Sequence, residues 1–145
     1  MRFWDASAIV PLLVEEPMSQ RIKTLLLQDH EVALWWGTRV ECASALARSA
    51  REHKLDGSGV VSASRLLKTL SAGAYEIQPA EEVRRRAERL LRVHSLRAAD
   101  ALQLAAALIW CSEQTSAAAF LSLDKRLGEA ASLEGFNVLP QELDG

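Results

Sequence analysis

Short apolar runs alternate along this chain with longer stretches of helical periodicity. "MRFWD", "HEVALWW", "AYEIQ", "AAAFLSL" and "FNVL" read as strands, because each is too short for a helix and is bounded by breaks in pattern. The stretches between them, from "ASAIVPLLVEE" to "DKRLGEAASLEG", carry apolar residues at helical spacing. Strands separated by helices are joined by right-handed crossovers, which make a parallel sheet with helices on both faces. The expected class is therefore α/β with about five strands. At 145 residues and 49% apolar content, the chain suits one domain with a single substantial core, spanning residues 1–145. In such sheets ligands bind beyond the carboxyl ends of the strands, so the side chains that follow each strand are the first to inspect.

Several local expectations follow. Pro11 falls in the early turns of the first helix, and Met18, Ile22, Leu25 and Leu26 share one helical face. In "TRVECASALARSAREHK" the apolar line runs Val40, Ala43, Ala47 and Ala50, with Thr38 as cap and Glu41 in the capping-box position. In "PAEEVRRRAERLLRVH", Val83, Ala87, Leu90, Leu91 and His94 share a face. Arg85, Arg89 and Arg92 form a stripe elsewhere, and Glu81 and Glu82 are spaced to pair with Arg85 and Arg86. Period-two alternation sends only one of Trp35 and Trp36 into the core.

The bulk numbers exclude some classes. A net charge of -2 gives no general basic footprint, so any nucleic-acid contact must be local. Cys42 and Cys111 lack C-x-x-C spacing and lie in apolar helical patterns, so they read as small core residues in a reduced compartment. No run reaches the ~18 apolar residues of a membrane span, and an acid sits where a signal peptide would be apolar. A soluble, cytoplasmic protein without membrane partners is expected.

Four acids then stand out. Asp5 closes the first strand and Asp124 the fourth, while Glu41 and Asp100 lie in first turns of helices that begin at the same edge. Each alone reads as a helix cap or as a complement to the helix dipole. Asp100 is the most exposed to question, since "SLRAADALQLAAALIW" is apolar on nearly every face and a buried carboxylate is costly unless paired or bound to a metal. Together the four would repel one another and raise at least one pKa. A hard divalent cation resolves that conflict, because Mg²⁺ takes oxygen ligands from a few carboxylates and water. His30, His53 and His94 have no metal-ligand spacing. A carboxylate cluster holding Mg²⁺ or Mn²⁺ suits phosphodiester hydrolysis. Ser7 and Ser122, each two residues from a strand-end acid, are placed to hydrogen-bond a carboxylate or a water.

These motifs resemble the PIN domains, and within them the VapC toxins of prokaryotic toxin–antitoxin pairs. The resemblance covers essentially the whole chain. "DASAIV" resembles the family's D-T/S-S-A-L opening, mapping the first acid to Asp5, and "RVECASALAR" resembles the segment of the second, Glu41. "LRAADALQLAAAL" resembles the L-x-x-x-D-A-L-x-L-A-x-A signature, whose acid maps to Asp100. "FLSLDKRLGEAA" resembles the closing T/S-x-D segment, with Asp124 as the fourth acid and Ser122 as the hydroxyl residue. Ala6 stands where threonine is common, and Trp4 is bulky for a neighbour of the site. The resemblance implies sheet order 3-2-1-4-5 and a Mg²⁺- or Mn²⁺-dependent endoribonuclease. It further implies that such an enzyme cuts structured RNA, tRNA or ribosomal RNA, to arrest growth. It also implies a homodimer and a cognate antitoxin whose tail enters the acidic groove. Arg97, three residues before Asp100, is a candidate RNA contact, as are Lys125 and Arg126 after Asp124. One of Trp35 and Trp36 could stack on a base or fill a protein contact. Two rivals stay close to the same fold: a non-catalytic PIN-like binding module and a nuclease acting on DNA. A receiver-type phosphoacceptor would need an aspartate after the third strand, where "AYEIQPAEE" has glutamates only.

Overall fold

The computed structural model describes residues 1–141. Five short strands form one sheet: β1 (Arg2–Trp4), β2 (Val32–Trp35), β3 (Tyr75–Ile77), β4 (Ala119–Leu121) and β5 (Asn137–Leu139). The helices are α1 (Ala6–Leu13), α2 (Ser19–Gln28), α3 (Thr38–Arg51), α4 (Gly57–Ala72), α5 (Glu81–Val93), α6 (Ala98–Trp110) and α7 (Lys125–Leu133), with a 3-10 turn at Thr115–Ala117. The sheet order is β3-β2-β1-β4-β5, and every pairing is parallel. Both the class and the strand order are those expected from the sequence.

Alternation along the strands divides the core into two layers. Phe3, Ala33, Trp35, Ile77 and Phe120 point to one face, where Val83, Ala87 and Leu90 of α5, the buried side of α6, and Leu127 and Ala130 of α7 cover them. Trp4, Val32, Leu34 and Leu121 point to the other, under Ile9 and Leu13 of α1, Ile22 of α2, Leu46 of α3 and Leu67 of α4. Phe3 stacks on Phe120 with ring centroids 5.6 Å apart, across the register that pairs these residues on β1 and β4. Burial on both faces explains why β2 reads as a continuous apolar run rather than an alternating one. No described helix is long and apolar enough to cross a membrane.

Some local expectations are corrected. Gly37, not Thr38, is the N-cap of α3, and it offers no side-chain cap. The buried line of α3 is Thr38, Cys42 and Leu46, one position off the predicted alanine line. Val40 is 68% exposed, and Val40, Ala43 and Ala47 instead line a groove against Val60, Ser64 and Leu67 of α4. Alanine is nearly indifferent to burial, so its spacing misled where leucine would not. Pro11 falls in the second turn of α1, which ends two residues later. On α5 Leu91 is 42% exposed, outside the buried face. Glu81 pairs with Arg84 at 3.0 Å and Arg85 at 3.5 Å. Arg86 turns instead to Glu113 at 2.8 Å and Glu134 at 3.3 Å. Glu134 also meets His94 Nε2 at 2.6 Å, so this network ties α5 to the ends of α6 and α7. Glu134 shares the burial of this guanidinium, 21% against 19% exposed, whereas Glu113 is 53% exposed, so the Glu134 contact is the less screened of the two.

Candidate active site

Asp5 leaves the carboxyl end of the central strand and is only 2% exposed. Its Oδ1 accepts hydrogen bonds from Ser7 Oγ at 2.6 Å and the Ala8 amide at 3.2 Å, and its Oδ2 accepts from Ser122 Oγ at 2.7 Å. Asp5 is thus the N-cap of α1, as a preferred N-cap residue should be. Burial pushes its pKa up to about 7, against the pull of these hydrogen bonds, and the charge of Asp124 adds a smaller push. No arginine or lysine pairs with it among the described residues. Ser7 also accepts from the amides of Leu123 at 2.8 Å and Asp124 at 3.2 Å, which fixes the end of β4 beside the end of β1. The two serines are therefore the braces of the first acid.

Asp124 caps α7 with Oδ1, which accepts the Leu127 amide at 2.9 Å. The capping reading and the site reading are both satisfied, since capping uses one oxygen and leaves the other. Glu41 lies in the first turn of α3, where the sequence suggests a capping box. Its Oε2 instead accepts Gln103 Nε2 from α6 at 2.6 Å. Burial raises the Glu41 pKa, the Gln103 hydrogen bond lowers it, and the charge of Asp100 raises it further. Asp100, in the first turn of α6, is raised by burial and then by Asp124, with Arg97 and Arg126 pulling the other way. Asp5 thus feels Asp124, Asp124 acts on Asp100, and Asp100 acts on Glu41. The four acids form one electrostatic chain along the carboxyl edge of the sheet.

Glu41, Asp100 and Asp124 line a cleft of about 820 Å³ with Trp35, Trp36, Arg48, Arg97, Leu102 and Arg126. Asp5 does not line this cleft; it is tied to Asp124 behind it, because Ser7 and Ser122, which donate to Asp5, both accept from the Asp124 amide. Arg97, the N-cap of α6, is at the cleft as expected; Lys125 faces the neighbouring hollow on the other side of Asp124. Trp35 is 7% exposed and Trp36 50%, so only one of the two enters the core, as expected, although the cause is that Trp36 lies just past the end of β2; Trp36 forms part of the cleft wall. The remaining arginines of α5 stand away from it. Arg48, Thr38 and Gln103 are site neighbours missed in the sequence. Gln103 had a signal, as the one amide in an apolar helical run, three residues after Asp100. Cys42 is buried, and burial pushes its thiol to about 12, which fits a core residue and not a nucleophile.

Among the described residues no three of His, Cys, Asp or Glu close into a ready-made metal-ligand group. The donor set is an open row of carboxylates whose oxygens partly lack protein donors. Such a row fits a hard cation that takes one or two carboxylates and completes its shell with water, the usual manner of Mg²⁺. A fully built cage of protein ligands would fit it less well. Three of the four acids resist ionisation without a counter-charge, and a divalent cation supplies it.

The PIN domain family matches residues 2–133 of the chain. The ribonuclease VapC45 of Mycobacterium tuberculosis (strain CDC 1551 / Oshkosh) is 34% identical over 145 residues, covering 98% of this chain and 96% of that one. Two solved structures share the fold at lower identity. VapC20 of Mycobacterium tuberculosis, a sarcin-ricin loop cleaving toxin, superposes with a TM-score of 0.67 at 16% identity, covering 94% of this chain and 96% of that one. FitAcB from Neisseria gonorrhoeae gives 0.65 at 19%, covering 95% and 96%. Matched along nearly its full length by a family and by a ribonuclease relative, the chain belongs to the PIN domain family, on its VapC branch.

Proposed function

We propose that this protein is a Mg²⁺- or Mn²⁺-dependent endoribonuclease, the toxin of a type II toxin–antitoxin pair, which cleaves structured RNA such as tRNA or ribosomal RNA and arrests growth. The observation that carries the reading is the chain of acids Asp5, Asp124, Asp100 and Glu41 along one sheet edge, three of them held above their ordinary pKa and none in a salt bridge among the described residues. The ribonuclease relative supports RNA as the substrate class.

In this reading Asp5, Asp100, Asp124 and Glu41 hold the cation. When bound, it supplies Lewis acidity to the scissile phosphate and to the attacking water. The chain's own residues do the rest. Ser7 and Ser122 fix both oxygens of Asp5. The guanidinium groups of Arg97, Arg126 and Arg48 rim the cleft and hold phosphates on either side of the cut. Half-exposed Trp36 offers a stacking face to a base. Local positive charge of this kind reconciles an acidic protein with a polyanionic substrate. The antitoxin's tail occupies the same groove, where a basic side chain meets unpaired carboxylates, and the toxin acts as a homodimer.

Purified protein, freed of antitoxin, is incubated with total cellular RNA in Mn²⁺ and in EDTA. Discrete products in Mn²⁺ only are expected. Intact RNA with cleaved single-stranded DNA would move the reading to the DNA nuclease, and no cleavage of either would move it to the binding module.

A further inference from the structure

Gln103 is 1% exposed on the side of α6 that is otherwise alanine and leucine, buried from Leu104 to Leu108. An amide buried there is costly unless its donors and acceptors are used, and a leucine would fill the space. Its donors are used: Nε2 donates to Thr38 Oγ1 at 2.9 Å and to Glu41 Oε2 at 2.6 Å. Its acceptor is not, for Oε1 is buried with no partner. The side chain is therefore kept for what its nitrogen does.

The register is specific. Asp100 and Gln103 are one turn apart on α6, and Thr38 and Glu41 are one turn apart on α3, the spacing that stacks side chains on one helix face. Thr38 is completely buried, so its hydroxyl is a fixed acceptor that takes one of the two amide hydrogens and aims the other at Glu41. The reverse orientation would set Oε1 against the carboxylate, acceptor against acceptor. Gln103 gives the one hydrogen bond that the Glu41 side chain accepts among the described residues, whereas Asp5 has three donors and Asp124 its own helix. Glutamate has more rotamer freedom than aspartate, so it is the acid that most needs an external anchor. With Oε2 held, Oε1 is left without a protein donor.

We infer that Gln103 is a positioning residue: aimed by the Thr38 hydroxyl, its amide holds the Glu41 carboxylate in the orientation in which Glu41 contributes to cation binding at the cleft. This rests on the proposed metal-dependent site and adds a residue to it that touches neither cation nor RNA.

The test is a double-mutant cycle read by Mn²⁺ binding calorimetry on folded protein: wild type, Gln103→Leu, Glu41→Gln and the pair. Gln103→Leu is expected to weaken Mn²⁺ about tenfold, the scale typical of a lost outer partner of a metal ligand. It is also expected to lower kcat with KM for RNA unchanged, and to have no further effect on Mn²⁺ binding once Glu41 is glutamine. Mn²⁺ affinity unchanged in Gln103→Leu, or an equal loss in both backgrounds, overturns the inference. Should Gln103→Leu fail to fold, Thr38→Val carries the same cycle, with Thr38→Ser expected to restore wild-type affinity. A wild type that binds no Mn²⁺ overturns the proposed function, and this inference with it, which is distinct from a wild type that binds while Gln103→Leu binds equally well.

Discussion

Asp5 and Asp100 are carboxyl groups whose ionisation the metal-free fold opposes. With a folded pKa near 7 against an ordinary carboxyl value near 4, Asp5 retains its proton in the folded chain over a range where the unfolded chain has released it. The unfolded state then binds fewer protons, so stability falls as pH rises from about 4 to about 7 and is flat above. The full effect is up to roughly 4 kcal/mol from Asp5 alone. Thermal melts of the metal-free protein across that range, beside Asp5→Asn, isolate the contribution: the wild type should lose melting temperature relative to Asp5→Asn as pH rises, and a difference that does not change with pH would mean that Asp5 keeps an ordinary pKa. Asp100 makes a second case. Its carboxyl is raised by burial and by Asp124, so Asp100→Asn should raise the metal-free melting temperature while lowering RNA cleavage by on the order of a hundredfold. A destabilised Asp100→Asn would instead make the residue structural. Capping alone predicts neither result.

At the scale of elements, the site is assembled by helix starts. Asp5 and Asp124 cap α1 and α7, and Glu41 and Asp100 sit in the first turns of α3 and α6. The parallel sheet explains the convergence, since every crossover returns the chain to the same edge. Capping and chemistry separate cleanly at Asp124. Asparagine caps as well as aspartate, so Asp124→Asn should keep the stability of α7 and lose cleavage, whereas Asp124→Ala should lose cleavage and about 1 kcal/mol of stability as well. Equal stability of the two variants by urea unfolding would remove the cap from the account. The elements also mark what is legible in a sequence. Asp5 is legible as the residue that follows β1, because the apolar run stops there; the run before Asp124 overshoots β4, which ends three residues earlier at Leu121, yet it still marks the start of α7. The buried line of α3 is not legible, because Thr38 and Cys42 occupy it while alanines face outward along the α4 groove. Gln103 is half legible: the amide is conspicuous in its apolar helix, but its partners lie 65 and 62 residues away in sequence, and no local spacing reports them.

For the molecule as a whole, alternation of strand and helix dictates the class, while the strand order follows from the resemblance carried by four short motifs and not from periodicity. Nonlocal contacts such as Arg86 with Glu113 and Glu134 are invisible before folding, because they depend on which helix ends the sheet brings together. The two core layers hold the sheet edge in place, and the edge carries acids that repel one another. A cation that binds only the folded state must then stabilise it in proportion to its excess over Kd. The most direct test is the melting temperature of the purified protein at pH 8, metal-free and with millimolar MnCl₂, beside Asp100→Asn. An upward shift of several degrees in the wild type, with little or none in Asp100→Asn, is the predicted result. Identical melting with and without Mn²⁺, in folded protein freed of antitoxin, would contradict the claim that these four carboxylates are gathered to hold a cation.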